Sequence, residues 1–139
     1  VETMTKDVRA AYDQAAKNAS IKTVIPVGES WLRAINTGIA DPNPYDGLEA
    51  KKLNLWTYDS YHASSHGYYL EALVIFGSVT GLDPRSLGEL ECSAFELGLS
   101  RPEAKSLQQV AFDQLAASRS ITPALKEPAP RATPQRCAQ

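Results

Sequence analysis

The sequence predicts an α/β fold that is mostly helical within this chain, and the order of its elements is the reason. An amphipathic helical pattern near the start is followed at once by residues 21–27, a short run rich in β-branched residues. That order is typical of an α/β unit with a buried parallel strand. No second strand is visible, and a single strand would leave its backbone donors and acceptors unpaired. We therefore expect the rest of the sheet to lie on another segment.

The first helical pattern begins at the candidate N-caps Thr3 and Thr5 and ends near residues 18–20. The predicted strand stops at Pro26 and Gly28. A short helix is predicted next, over residues 29–38, and a loop dense in turn-forming residues follows it.

The later part of the chain is predicted to be helical. One helix begins near Ser65 and ends at Gly81, and a second covers about residues 87–99. A third begins at Ser100, where Glu103 completes a capping box, and runs to about residue 117.

Composition divides the chain and limits its function. Four of its nine prolines fall after residue 120, so residues 1–120 are predicted to form the domain part and residues 121–139 a disordered tail. The net charge of −2 argues against a nucleic-acid-binding surface, and no apolar run approaches the roughly 18 residues of a membrane span.

Both histidines of the chain, His62 and His66, fall within five residues, and Asp59 lies three positions before the first. In an Asp-x-x-His turn the carboxylate can accept a hydrogen bond from the imidazole Nδ1–H. That bond fixes the tautomer and leaves Nε2 free to take a proton from a nucleophile. The spacing therefore predicts a catalytic dyad of Asp59 and His62.

The stretch Asp59-Ser60-Tyr61-His62-Ala63-Ser64-Ser65-His66-Gly67 closely resembles the last sequence block of the SGNH (GDSL-type) hydrolase family, Asp-x-x-His-x-Ser-x-x-Gly. Residues 24–31 also resemble the family's final core strand and the turn after it, and the resemblance covers about residues 3–85. It implies the C-terminal segment of a three-layer α/β/α (flavodoxin-like) fold. It also implies a serine hydrolase that cleaves esters such as lipids, thioesters or acetylated carbohydrates, without a cofactor or metal.

By this resemblance Asp59 orients His62, and His62 acts as the general base. Ser64 would cap the following helix, and Gly67 would permit close approach of another backbone segment. The family's nucleophile lies in an N-terminal Gly-Asp-Ser block, and its oxyanion hole uses a Gly and an Asn of two further blocks. None of these blocks is present, so the expected partner is an N-terminal segment or companion chain that carries the serine.

Three alternatives remain open at this stage. Ser30, in a Gly-x-Ser sequence after the predicted strand, could be a nucleophile or an ordinary helix N-terminal residue. Asp59, His62 and His66 have a spacing that could hold a metal, although no further ligand is evident. Five aromatic residues could line a pocket or belong to the core: Trp56, Tyr58, Tyr61, Tyr68 and Tyr69.

The sequence also allows a prediction of the cellular compartment and of the function class. Cys92 and Cys137 could form a disulfide or remain one buried and one exposed thiol. A disulfide, together with a chain that starts at Val1 rather than Met, favours a processed protein that is periplasmic or secreted, and a cytoplasmic location is the alternative. The predicted function is serine ester hydrolysis. The alternative is a non-catalytic helical interaction module in which the Asp-His turn is structural.

Overall fold

The computed structural model describes residues 1–118, and these residues form helices joined by loops. The helices are α1 (Glu2–Asn18), α2 (Val27–Asn36), α3 (Ser65–Thr80), α4 (Cys92–Glu96) and α5 (Arg101–Ala117), with a 3₁₀ turn at Pro84–Leu87. The predicted tail over residues 121–139 lies outside the described residues.

The expected α/β, flavodoxin-like fold is wrong for this chain. Residues 1–118 contain no strand, only isolated bridges between Ala40 and Leu53 and between Trp56 and Ala63. The predicted strand at 21–27 is instead an unpaired connection that ends where α2 begins, at Val27. Its β-branched residues favour an extended backbone, but a strand also requires a neighbour to pair with.

The core lies mainly between α3 and α5. Leu70, Leu73 and Val74 of α3 and Leu107 and Leu115 of α5 are all almost fully buried. Helix α2 packs against both of these helices, and α1 packs against α2. The loop that carries the Asp-His pair leads directly into α3 and is therefore anchored to the most buried part of the molecule.

Local signals predicted some helix ends and missed others: the candidate N-caps Thr3 and Thr5 lie inside α1, which begins at Glu2. Gly81 ends α3 in the left-handed conformation, and the backbone N–H of Ser100 donates to the Glu103 carboxylate at the start of α5, as the capping box requires. The helix predicted over 87–99 is wrong. Gly88, at φ 76°, separates the 3₁₀ turn from α4, and the Glu91 carboxylate caps α4 as a separate short helix.

Within residues 1–118 no helix is both long enough and apolar enough to cross a membrane.

Candidate functional site

Asp59 and His62 lie on a short loop that is closed at its base. Trp56 and Ala63 form an antiparallel bridge, and the Thr57 N–H donates to the His62 carbonyl over 2.8 Å. Inside the loop, Ser60 adopts φ 55° and donates its N–H to the Thr57 carbonyl. These bonds bring the ends of the loop together and place the two side chains on the same turn.

The predicted dyad contact is present. Nδ1 of His62 lies 2.6 Å from Oδ2 of Asp59, within hydrogen-bond distance. The other carboxylate oxygen, Oδ1, accepts the backbone N–H groups of Tyr61 and His62, each over 3.0 Å, and the hydroxyl of Thr57. The Asp59 side chain is therefore held by four donors from its own loop.

These bonds favour the ionised form of the Asp59 carboxylate. The hydrogen bond from His62, followed by those from Thr57 and the two backbone N–H groups, holds the pKa of Asp59 well below its usual range. An ionised carboxylate accepts hydrogen bonds only, so it favours the His62 tautomer that carries its proton on Nδ1. In that tautomer Nε2 is the basic nitrogen.

The basic nitrogen faces solvent. The His62 side chain is 62% exposed, and Nε2 makes no hydrogen bond to any residue in the described part of the chain. The Tyr61 ring stands edge-on to the imidazole, with ring centroids 4.9 Å apart. The imidazole is thus held through Nδ1, and Nε2 has no hydrogen-bond partner within residues 1–118.

Ser64 connects this loop to α3, as the resemblance implied. Its hydroxyl donates to the Asn54 carbonyl over 2.6 Å and accepts the Gly67 N–H at 3.3 Å, so it caps the helix. Its own N–H donates to the Leu55 carbonyl over 2.9 Å. The residues on both sides of the loop are therefore held against the first turn of α3.

Gly67 lies where α3 meets the segment before the loop. A Cβ at this position would lie 2.5 Å from the Leu55 carbonyl oxygen and 2.6 Å from Cζ2 of Trp31. The predicted close approach of another backbone is confirmed, and that backbone is the one at Leu55. Trp31 in turn packs edge-on against Trp56, with centroids 4.7 Å apart.

Ser30, the alternative nucleophile, and His66, a possible metal ligand, both lie against other residues of the helical framework. Ser30 is fully buried in α2 and donates its hydroxyl to the Val27 carbonyl over 2.6 Å. Nε2 of His66 lies 3.3 Å from Oε1 of Glu103 on α5, without the geometry of a hydrogen bond. No group of three or more His, Cys, Asp or Glu side chains in residues 1–118 could hold a metal ion.

The aromatic residues separate into core and surface. Tyr69 is buried, its hydroxyl accepts a hydrogen bond from Gln108, and burial raises its pKa. Trp56 is partly buried against the core, whereas Tyr68 is half exposed. Tyr58 and Tyr61 are exposed on the dyad loop.

Cys92 is disulfide-bonded. Cys137, the other cysteine of the chain, lies outside the described residues.

Thr57 is a site residue that the sequence reasoning missed. Its hydroxyl donates a hydrogen bond to Oδ1 of Asp59, two positions later. The only signal for it was a hydroxyl residue two positions before the Asp, which is too common a pattern to indicate a role.

Comparison with known proteins gives no relative: no family model, no curated protein and no solved structure matches the chain. The local geometry of the Asp59–His62 pair is therefore the main basis for a functional proposal.

Proposed function

We propose that this chain supplies the orienting carboxylate and the general base of an SGNH-type serine ester hydrolase. The observation that carries the proposal is the Asp59–His62 pair, in which Nδ1 is held by an ionised carboxylate and Nε2 is open to solvent. This is the arrangement that a serine requires from its base.

The proposed reaction uses His62 twice. Nε2 takes the proton of a serine hydroxyl while the serine oxygen attacks the ester carbonyl, and it returns that proton to the departing alcohol oxygen. In the second half, Nε2 takes a proton from water as the water attacks the acyl-serine, and returns it to the serine oxygen. Asp59 stays ionised throughout and stabilises the imidazolium that forms in each half.

The resemblance of residues 59–67 to the SGNH block supports this assignment, and Ser64 and Gly67 have the local roles that the block implies. The serine and the oxyanion hole would come from a second polypeptide segment, because the family's blocks for them are not found in this sequence. The substrate would be a small ester.

The surface next to α1 supports a partner segment. A groove of about 660 Å³ runs between α1 and residues 21–29, and apolar residues on its wall, including Val8, Tyr12 and Ile21, are exposed. The backbone groups of Lys22, Thr23 and Val24 make no hydrogen bond within residues 1–118. Exposed apolar surface beside backbone groups that have no hydrogen-bond partner within residues 1–118 is suited to binding a polypeptide segment.

A disulfide at Cys92 supports a periplasmic or secreted location, because disulfides persist in oxidising compartments.

Reconstitution tests the proposed function. The chain alone is expected not to hydrolyse p-nitrophenyl acetate, and coexpression with the coding sequence upstream of the Val1 codon is expected to produce hydrolysis. A serine-directed organophosphate should abolish that activity. Binding of the two polypeptides without hydrolysis would favour the non-catalytic interaction module instead.

Hydrogen exchange tests the proposed partner surface. In the isolated chain the amides of Lys22, Thr23 and Val24 should exchange rapidly, since they have no acceptor within residues 1–118, and in the complex they should be protected. The amides of Glu89 and Leu90, which also make no backbone hydrogen bond and lie outside the groove, are the matched control. Unchanged exchange at 22–24 in the complex would show that the partner binds elsewhere.

A further inference from the structure

The two oxygens of the Asp59 carboxylate have different partners. Oδ1 accepts hydrogen bonds from the Thr57 hydroxyl and from the N–H groups of Tyr61 and His62, and Oδ2 accepts from the imidazole. A carboxylate oxygen has about two lone-pair positions, so three donors occupy Oδ1 fully. Only Oδ2 is then available to Nδ1 of His62.

Thr57 differs from the other two donors on Oδ1. The N–H groups of Tyr61 and His62 belong to the turn that Asp59 itself begins, whereas Thr57 precedes Asp59. Its position is fixed twice by the backbone: its N–H donates to the His62 carbonyl, and its carbonyl accepts the N–H of Ser60. The backbone of Thr57 is therefore held in place independently of the carboxylate that its hydroxyl contacts.

The hydrogen bond from Thr57 to Asp59 matters because both side chains of the dyad are exposed to solvent. The side chains of Asp59 and His62 are 33% and 62% exposed, so water competes for both. Rotation of the carboxylate about its Cβ–Cγ bond would move Oδ2 away from Nδ1. The Thr57 hydroxyl opposes that rotation because its bond to Oδ1 would have to break first.

We infer that Thr57 is a positioning residue for the dyad: its hydroxyl fixes the orientation of the Asp59 carboxylate and, through it, the Nδ1–H tautomer of His62. The catalytic meaning of this inference rests on the proposed function. The geometric effect is a property of this chain alone and can be measured without a partner.

Three variants of the chain test the inference. Thr57→Val removes the hydroxyl and keeps the β-branched shape, and Thr57→Ser keeps the hydroxyl. Thr37→Val is the matched control, because the Thr37 hydroxyl donates to backbone carbonyls of α2 and is not part of the dyad. The readouts are the Asp59 pKa from ¹³C titration of its carboxyl group and the His62 tautomer from ¹⁵N shifts of the imidazole.

Thr57→Val is expected to shift the Asp59 pKa upward, since a donor to the charged form lowers a pKa and its loss raises it. The fraction of His62 with its proton on Nδ1 should fall. In the reconstituted enzyme kcat should fall about tenfold with KM unchanged, as loss of one hydrogen bond to a charged group would predict. Thr57→Ser and Thr37→Val should keep the wild-type pKa and tautomer.

Wild-type pKa and tautomer values in Thr57→Val would overturn the inference, and so would a Thr57→Ser protein that behaves like the valine variant. If the unmodified chain fails to hydrolyse esters with any partner but Thr57→Val still shifts both NMR readouts, the proposed function is wrong and the positioning role of Thr57 stands. Failure of the proposed function and failure of the Thr57 inference therefore give different results.

Discussion

His62→Ala is expected to lower kcat of the reconstituted hydrolase by about 10⁶-fold, which is the order of effect when the histidine of a catalytic triad is lost. The substitution removes the only group in the dyad that can accept the serine proton. It leaves the Asp59 carboxylate bonded to Thr57 and to the loop backbone, so the loop should keep its shape. The measurement is steady-state hydrolysis of p-nitrophenyl acetate by the coexpressed protein.

His66→Ala is the matched control, since it deletes the other histidine four residues away. Its Nε2 lies close to Glu103 and takes no part in the dyad, so activity should stay within about twofold of wild type. Stability should fall by less than about 1 kcal/mol, because Nε2 makes no hydrogen bond within residues 1–118 that the substitution would remove. Wild-type activity in His62→Ala would contradict the proposed function. Equal losses in both variants would point to a structural effect rather than to a catalytic base.

Gly67→Ala is expected to lower the free energy of unfolding by about 3 kcal/mol, at the upper end of the usual cost of overpacking. The new Cβ would meet the Leu55 carbonyl oxygen at 2.5 Å and the Trp31 ring at 2.6 Å. Neither neighbour can move cheaply. The carbonyl accepts the Ser64 N–H, and the indole ring packs against Trp56.

Gly28→Ala is the matched control for this substitution. Gly28 also lies in a helix, and a Cβ there would meet its nearest neighbour, a methyl carbon of Thr5, at 3.6 Å, which is ordinary contact. Alanine should therefore stabilise the chain by about 0.5–1 kcal/mol through its helix preference. Chemical denaturation of both variants gives the comparison, and an unchanged midpoint for Gly67→Ala would show that the α3 contact is looser than described.

The features predicted from the sequence were those set by neighbouring residues. Ser64 caps α3 and Gly81 ends it because caps depend on a few consecutive positions. The Asp59–His62 contact was predictable for the same reason, since three positions of a tight turn bring the two side chains together.

The features missed depend on contacts that the sequence does not specify locally. Residues 21–27 have strand composition, but pairing requires a distant neighbour, and none lies within residues 1–118. The helix predicted over 87–99 failed because the positive φ of Gly88 outweighs the apolar pattern around it. Thr57 was missed because its role depends on the loop closing, which brings its hydroxyl to Asp59.

The closed loop between Trp56 and Ala63 has a consequence for how such a site could be inherited. Thr57, Asp59 and His62 lie within six consecutive residues, and every hydrogen bond among them forms inside that segment. The oriented imidazole thus belongs to a short cassette, which is supported by the first turn of α3 and by the Ser60 hydroxyl, a donor to the Pro44 carbonyl over 3.2 Å. A polypeptide that acquired this cassette would have an oriented imidazole before any nucleophile was present.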